Sequence, residues 1–461
     1  MRYPTDATTR WLAVLSLFTV LGGDFWRDLI GVWGYVALAA VIVAAAAVLL
    51  SRRRAWRRIV VSRLPRTLVL LLVLMLVSIA WSASPGASAL GVLAQAATTL
   101  AALALCVMLS WPGILAALAT AANWVVGLSL VFEFILGAFV RTPVYPLWTP
   151  VGPAATPWSN ADLFHAGPLQ GIVGDADALG LVAAFAIIAV GVQLAQRARP
   201  RVPALVWIVA AGVTLALTRS LTAMVALAAA AVMLGLVILA RRVGHGGRAG
   251  VLAGIGAFTV LAVAAFWIFW QPILTLFGST ADPTSRAGLW STVADLAAQR
   301  PAFGWGWVGA WPTWTDLFSG LSAQTGTTQA HNAWLEILLR LGVVGLILFI
   351  ALVVGTFYRL WWFAVDHPLD ALGLPRRHVP VTIFPVLVLT ALVVASVVDS
   401  GLIAGGGWLL LVVLAAKSKL ELGDADLELG DGEADASAGD SRGVLARRRR
   451  EQEQQPERQP A

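Results

Sequence analysis

A chain of 461 residues that is 59% hydrophobic and only 12% charged, with a mean hydropathy of +0.81, lies far outside the range of a soluble domain and reads as a polytopic membrane protein. The formal charge of +7 calls for no nucleic-acid partner, because the basic residues are sorted by loop: Arg52, Arg53, Arg54, Arg57 and Arg58, then Arg197, Arg199 and Arg201, then Arg241, Arg242 and Arg248, then Arg376 and Arg377. The single cysteine, Cys106, sits in an apolar run, which excludes an intrachain disulfide and a thiolate metal site.

In chain order, apolar runs of spanning length or close to it fall near 11–23, 29–50, 67–82, 88–110, 113–140, 179–195, 203–218, 220–240, 250–270, 334–358, 381–398 and 401–416. On a criterion of roughly 20 residues per crossing these predict an all-α fold of about twelve transmembrane helices, a membrane domain over 1–416. The arginine clusters fall on alternate loops, which predicts a multi-pass protein of the bacterial cytoplasmic membrane with both termini cytoplasmic. The first run has Arg10 before it and no small-residue cleavage site after it, so it is expected to be an anchor and not a removed signal peptide.

Two loops of substance then face outward, 141–178 and 271–333. The first is rich in Pro, Trp and Tyr, carries His165, and closes with GIVGDADALG, Gly171 to Gly180. Between the seventh and eighth runs stands LTRSLT, Leu217 to Thr222, with almost no room for a loop. The preceding run would rise only about 22 Å as a helix, which puts Arg219 at or just inside the outer interface, a costly place for a charge without a function; the alternative is an arginine snorkelling to lipid headgroups.

The second outer loop contains SRAGLW, where Ala287, Leu289, Trp290, Val293, Leu296 and Ala297 recur at helical spacing until Arg300 and Pro301. This predicts an amphipathic helix over 285–299 lying on the membrane face, with Arg286 in its first turn, where a cation opposes the helix dipole and so asks for an anionic ligand. FGWGWVGAW, Phe303 to Trp311, supplies glycines for a tight turn. The loop ends in QAHNAWLE, so that His331 and Asn332 stand at the start of an apolar helix whose N-terminal N–H groups are expected to favour an anion beside His331. The alternative for His331 is a helix cap. After Ala416 an acidic stretch and Arg447–Arg450 predict a disordered cytoplasmic tail over 417–461.

HNAWLE followed by LGVVGLILF resembles the signature of the O-antigen ligase and O-antigen polymerase family of bacterial membrane glycosyltransferases. GIVGDADALG, LTRSLTAMVALA, SRAGLW and PAFGWGWVGAW are similar to the family's stretches in the same order, although the family usually carries an asparagine where this chain has Asp177. The resemblance implies a metal-independent transfer of a glycan from an undecaprenyl diphosphate-linked donor to an acceptor hydroxyl on the outer face, without nucleotide-sugar or other cofactor. The implied partners are that donor, a glycan, lipid or cell-wall acceptor, and membrane lipid. On this reading His331 is the catalytic base, Arg219 and Arg286 bind the diphosphate, and Asn332, Glu336 and Asp177 support them, with His165 as second choice for the base. The ligase reading is preferred to the polymerase reading because of the single large outer loop before the tenth run. A polytopic transporter or flippase of lipid-linked glycan fits the span count equally well, but the inner runs carry few ionisable groups, Glu133 being the main exception, and no two similar halves are visible.

Overall fold

The computed structural model describes residues 6–148, 157–165, 167–243, 245–276, 283–325, 327–366 and 378–421. Its helices are α1 (Ala7–Leu21), α2 (Phe25–Arg52), α3 (Arg66–Val77), α4 (Pro85–Met108), α5 (Trp111–Ile135), α6 (Ala176–Ala195), α7 (Arg201–Thr218), α8 (Leu221–Arg242), α9 (His245–Leu276), α10 (Pro283–Ala298), α11 (Asp316–Thr325), α12 (Ala333–Val365), α13 (Phe384–Ala395) and α14 (405–421). The fold is all-α, and each of the twelve apolar runs lies on a helix. Among the described residues seven helices are long and apolar enough to cross a membrane: α2, α4, α5, α6, α7, α8 and α12. α1, α3 and α13 are apolar but shorter.

Contacts between connections sort the bundle into two ends. At one end Leu147 N donates to Asp28 O at 3.0 Å, Leu169 N to Leu217 O at 3.0 Å, Ala83 N to Trp305 O at 3.1 Å and Asn332 N to Ser400 Oγ at 3.1 Å. At the other end Arg53 pairs with Asp6 at 2.6 Å, Lys419 Nζ donates to Leu64 O at 2.9 Å, and Arg241 Nε to Ala364 O at 2.9 Å. The loops predicted to face one way therefore meet one another, and the arginine clusters over 52–58 and 241–248 gather at the opposite end. Arg376 and Arg377 lie outside the described residues.

α12 is not the continuous helix that its apolar sequence predicts. It breaks at Gly342, whose φ of 64° is left-handed. The break frees carbonyls and N–H groups that a membrane interior cannot satisfy, and the Gly-rich stretch before it supplies the partners. Trp305 N donates to Leu339 O at 3.0 Å and Gly306 N to Arg340 O at 2.9 Å, while Val343 N and Val344 N donate to Pro301 O and Ala302 O at 2.8 and 3.2 Å. Residues 301–306 thus form a strap laid into the interrupted helix. The part of α12 after the break, 343–365, is about 34 Å long at 1.5 Å per residue and suffices for a span by itself.

The nine residues before the break belong to a cap. α10 forms where the sequence predicts a helix, but its apolar stripe is covered by protein and not laid on a membrane: Leu289, Trp290, Val293 and Ala297 are buried with Val308, Trp311, Phe318, Leu321, Ala330 and Leu339. One further boundary moves. The tail was expected from 417, whereas α14 continues to 421 and buries Lys417, whose ammonium pairs with Glu421 at 3.0 Å; the rest of the tail lies outside the described residues.

Candidate active site

Inside the cap, the first turns of α12 are held by a buried ion pair. Glu336 and Arg340, one turn apart, are both buried and bonded at 2.7 Å. A buried pair persists when further hydrogen bonds take up most of its remaining capacity, and here the Arg340 Nε is left without one. Glu336 also accepts from Ala330 N at 2.6 Å and Trp311 Nε1 at 3.2 Å, and Arg340 donates to Val308 O at 2.8 Å with its guanidinium 5.3 Å from the Trp307 ring centre. Glu336 therefore fixes the residue immediately before His331 and ties it to the Gly-rich loop.

Asn332, and not His331, caps α12. Its Oδ1 accepts from Trp334 N at 3.0 Å and Leu335 N at 3.1 Å, while Ala333 N donates to Ser396 O and Asp399 O. The helix terminus is consequently satisfied from within the protein, and the anion pocket expected at these N–H groups is not open. His331 is half-buried and left-handed, with φ of 48°. Its Nδ1 lies 3.4 Å from Gln329 Nε2, and its Nε2 lies 3.2 Å from Thr327 Oγ1. With the Gln329 amide nitrogen turned toward the ring it donates to Nδ1, and the matching tautomer carries its hydrogen on Nε2, directed at Thr327.

Arg219 is exposed and left-handed at the C-terminus of α7, φ 52°, and the next residue, Ser220, caps α8 by accepting from Ala223 N at 3.1 Å. Ser220 Oγ in turn makes a short hydrogen bond to Asp177 in the first turn of α6. Asp177 and Asp175 approach Asp399, in the connection between α13 and α14. Burial first, and then the Asp175 charge with a smaller contribution from Asp177, push the Asp399 carboxyl up to about 6 from 3.8, against the backbone N–H groups of Gly401 and Ser400. Asp399 O and Ser400 Oγ close the circuit back to Ala333 and Asn332.

The structure thus brings His331, Asn332, Asp177 and the Arg219–Ser220 turn into one polar neighbourhood. Glu336 stands one layer behind it. Arg286 lies on α10, with its side chain outside the described residues. His165 is exposed on the first outer loop, where its backbone N–H bonds Asp162 O at 2.9 Å, and no contact joins its side chain to the His331 loop among the described residues. Sequence reasoning missed Asp399, Ser400, Thr327 and Gln329. A lone carboxylate in the short turn between two apolar runs was the available signal for Asp399.

Glu133 has a structural role. Buried on α5, it accepts from Gly171 N at 2.8 Å and Ser159 Oγ at 3.0 Å, which anchors the outer loop ahead of α6. Gly171 is left-handed at 63°, and a Cβ there would come within 2.5 Å of Ser129.

Residues 204–350 match the family model described as O-antigen ligase. The match runs from α7 to just beyond the break in α12, so it takes in Arg219, Arg286, His331, Asn332 and Glu336, while Asp177 and Asp399 fall outside it. No curated protein matches the chain. The matched domain is that of lipid-linked glycan transfer of the ligase or polymerase type, carried by a multi-pass membrane protein.

Proposed function

We propose, from the O-antigen ligase match and the polar neighbourhood around His331, that the chain transfers a glycan from an undecaprenyl diphosphate donor to an acceptor hydroxyl in ligase fashion. The arginine-rich end of the bundle faces the cytoplasm by the positive-inside rule, and the reaction takes place at the other end. The observation that carries this reading is the division of labour between neighbours: Asn332 takes the capping role, so the His331 imidazole is not used by the helix terminus and meets Gln329 and Thr327 instead.

In the reaction the acceptor oxygen bonds to the anomeric carbon of the donor sugar, the bond from that carbon to the phosphate oxygen breaks, and undecaprenyl diphosphate leaves with the electron pair. The acceptor proton passes to Nδ1 of His331, where the acceptor hydroxyl replaces the Gln329 amide. Thr327 holds Nε2–H and so fixes the tautomer. Arg219 and Arg286 neutralise the charge on the leaving diphosphate through paired, permanently charged donors. With the helix terminus closed to anions, this charge falls to side chains.

Glycan profiles of cells lacking the protein test the reading. Full-length glycan accumulating on the lipid carrier, unattached, is the expected result. Accumulation of single repeat units would assign a polymerase instead, and normal attachment would overturn glycan transfer as the function.

A further inference from the structure

At the end of the bundle opposite His331, three cations from three helices converge. Arg66 begins α3, Arg359 lies on α12 and Lys419 near the end of α14. Lys419 Nζ donates to Leu64 O at 2.9 Å, and Arg359 is held by Nε to Ser418 Oγ at 3.1 Å and Nη2 to Thr356 Oγ1 at 3.2 Å. Lys419 and Arg359 are thus held in place, and Arg66 is exposed two residues after Leu64, the carbonyl partner of Lys419. Burial first, and then the Arg359 and Arg66 charges, lower the Lys419 pKa from its usual value.

Like charges held together, with no carboxylate bonded to any of the three among the described residues, mark a candidate anion site. Among the described residues the carboxylates at this end are engaged elsewhere, Asp6 with Arg53, Asp366 with Arg248 and Glu421 with Lys417. The neighbouring segment adds exposed Arg52, Arg54, Arg57 and Arg58, with an exposed Trp56 whose ring centre lies 5.7 Å from the Arg57 guanidinium, an arrangement suited to a headgroup layer.

The apolar surface beside the cations identifies the ligand further. Leu70, Val73 and Val77 follow Arg66 at helical spacing along α3, and all three are exposed. A charged head at Arg66 would therefore sit above an apolar track running along the helix. A free phosphate has no use for such a track, and a zwitterionic headgroup would bring an ammonium into a group of cations. We propose that Arg66, Arg359 and Lys419 bind the phosphate of an anionic phospholipid, with its acyl chains along Leu70, Val73 and Val77.

The test is native mass spectrometry of the purified full chain in detergent with added phosphatidylglycerol or phosphatidylcholine. The protein retains phosphatidylglycerol in preference to phosphatidylcholine. The double variant Arg66→Gln/Lys419→Gln, which leaves the Arg359 bonds in place, loses about tenfold in phosphatidylglycerol retention, as expected for removal of charged hydrogen bonds, and keeps its weak phosphatidylcholine retention. Arg66→Gln alone, at an exposed residue, loses part of it and guards against a folding defect in the double variant. Equal phosphatidylglycerol retention in wild type and both variants overturns the site. Displacement of the lipid by millimolar inorganic phosphate overturns its assignment to a lipid.

Discussion

Glu336 Oε1 accepts the backbone N–H of Ala330 at 2.6 Å, so a fully buried carboxylate on the first turns of α12 sets the position of the residue that leads into His331. The same carboxylate neutralises Arg340, and the two tasks separate on mutation. Glu336→Ala leaves a buried guanidinium unpaired and is expected to cost about 3–5 kcal/mol of stability. Glu336→Gln keeps an acceptor for Ala330 and loses only the charge, so its thermal unfolding in detergent should fall between wild type and the alanine variant. Equal stability of all three proteins would remove Glu336 from this role.

Gly342 is the hinge on which the strap depends. A Cβ there would lie 2.4 Å from the Ala302 carbonyl carbon, at a φ that side chains rarely adopt. Gly342→Ala should displace the 301–306 strap and destabilise the cap by more than about 4 kcal/mol, among the largest effects of single substitutions. Limited proteolysis near Phe303 reads this directly. Unchanged protection would mean that the strap does not rely on the break.

The cations are tested by donor binding separately from turnover. Arg219→Ala and Arg286→Ala should each weaken donor affinity by about 10- to 100-fold while the protein remains inserted and abundant, with lysine rescuing only in part because it lacks the planar fork. Wild-type donor affinity in both alanine variants would assign these arginines to the lipid headgroups instead.

Asp399 gives the fold a dependence on pH. A carboxyl whose pKa is raised in the folded protein supports the fold below its ordinary value of 3.8, and that contribution is lost as pH rises through about 6. Asp399→Asn, neutral throughout, should therefore become more stable relative to wild type as pH rises from 4 to 6, by up to about 3 kcal/mol, and the difference should level off above that range. Melting curves across this range with no change in the difference would contradict the strained carboxylate.

What the sequence made legible followed from local patterns. The apolar runs marked helices, the spacing of Leu289, Trp290, Val293 and Ala297 marked α10, and the polar entry at His331 and Asn332 marked the candidate site. The parts that stayed hidden depend on distant contacts. A glycine in an apolar run is compatible with a straight membrane helix, and only the strap at 301–306 reveals Gly342 as a break. The stripe of α10 fits a membrane surface or a protein core equally well; Trp311, Phe318 and Ala330 decide for the core. Asp399 acquires its raised pKa from burial first and then from Asp175 and Asp177, none of which local sequence connects to it. The sequence offered a cap as the alternative for His331, and the hydrogen bonds of Trp334 N and Leu335 N were needed to show that Asn332 takes that role.

The most direct measurement is the rate of glycan transfer from undecaprenyl diphosphate donor by purified protein in lipid, compared among wild type, His331→Ala and His331→Asn. Asn332 already caps α12, so asparagine at 331 has no structural vacancy to fill. Both variants should lose transfer by about 10² to 10⁴-fold while still binding donor, and the wild-type rate should fall with decreasing pH as the imidazole takes up a proton. Near-normal transfer by His331→Asn, with an unchanged pH profile, would contradict the assignment of His331 as the base.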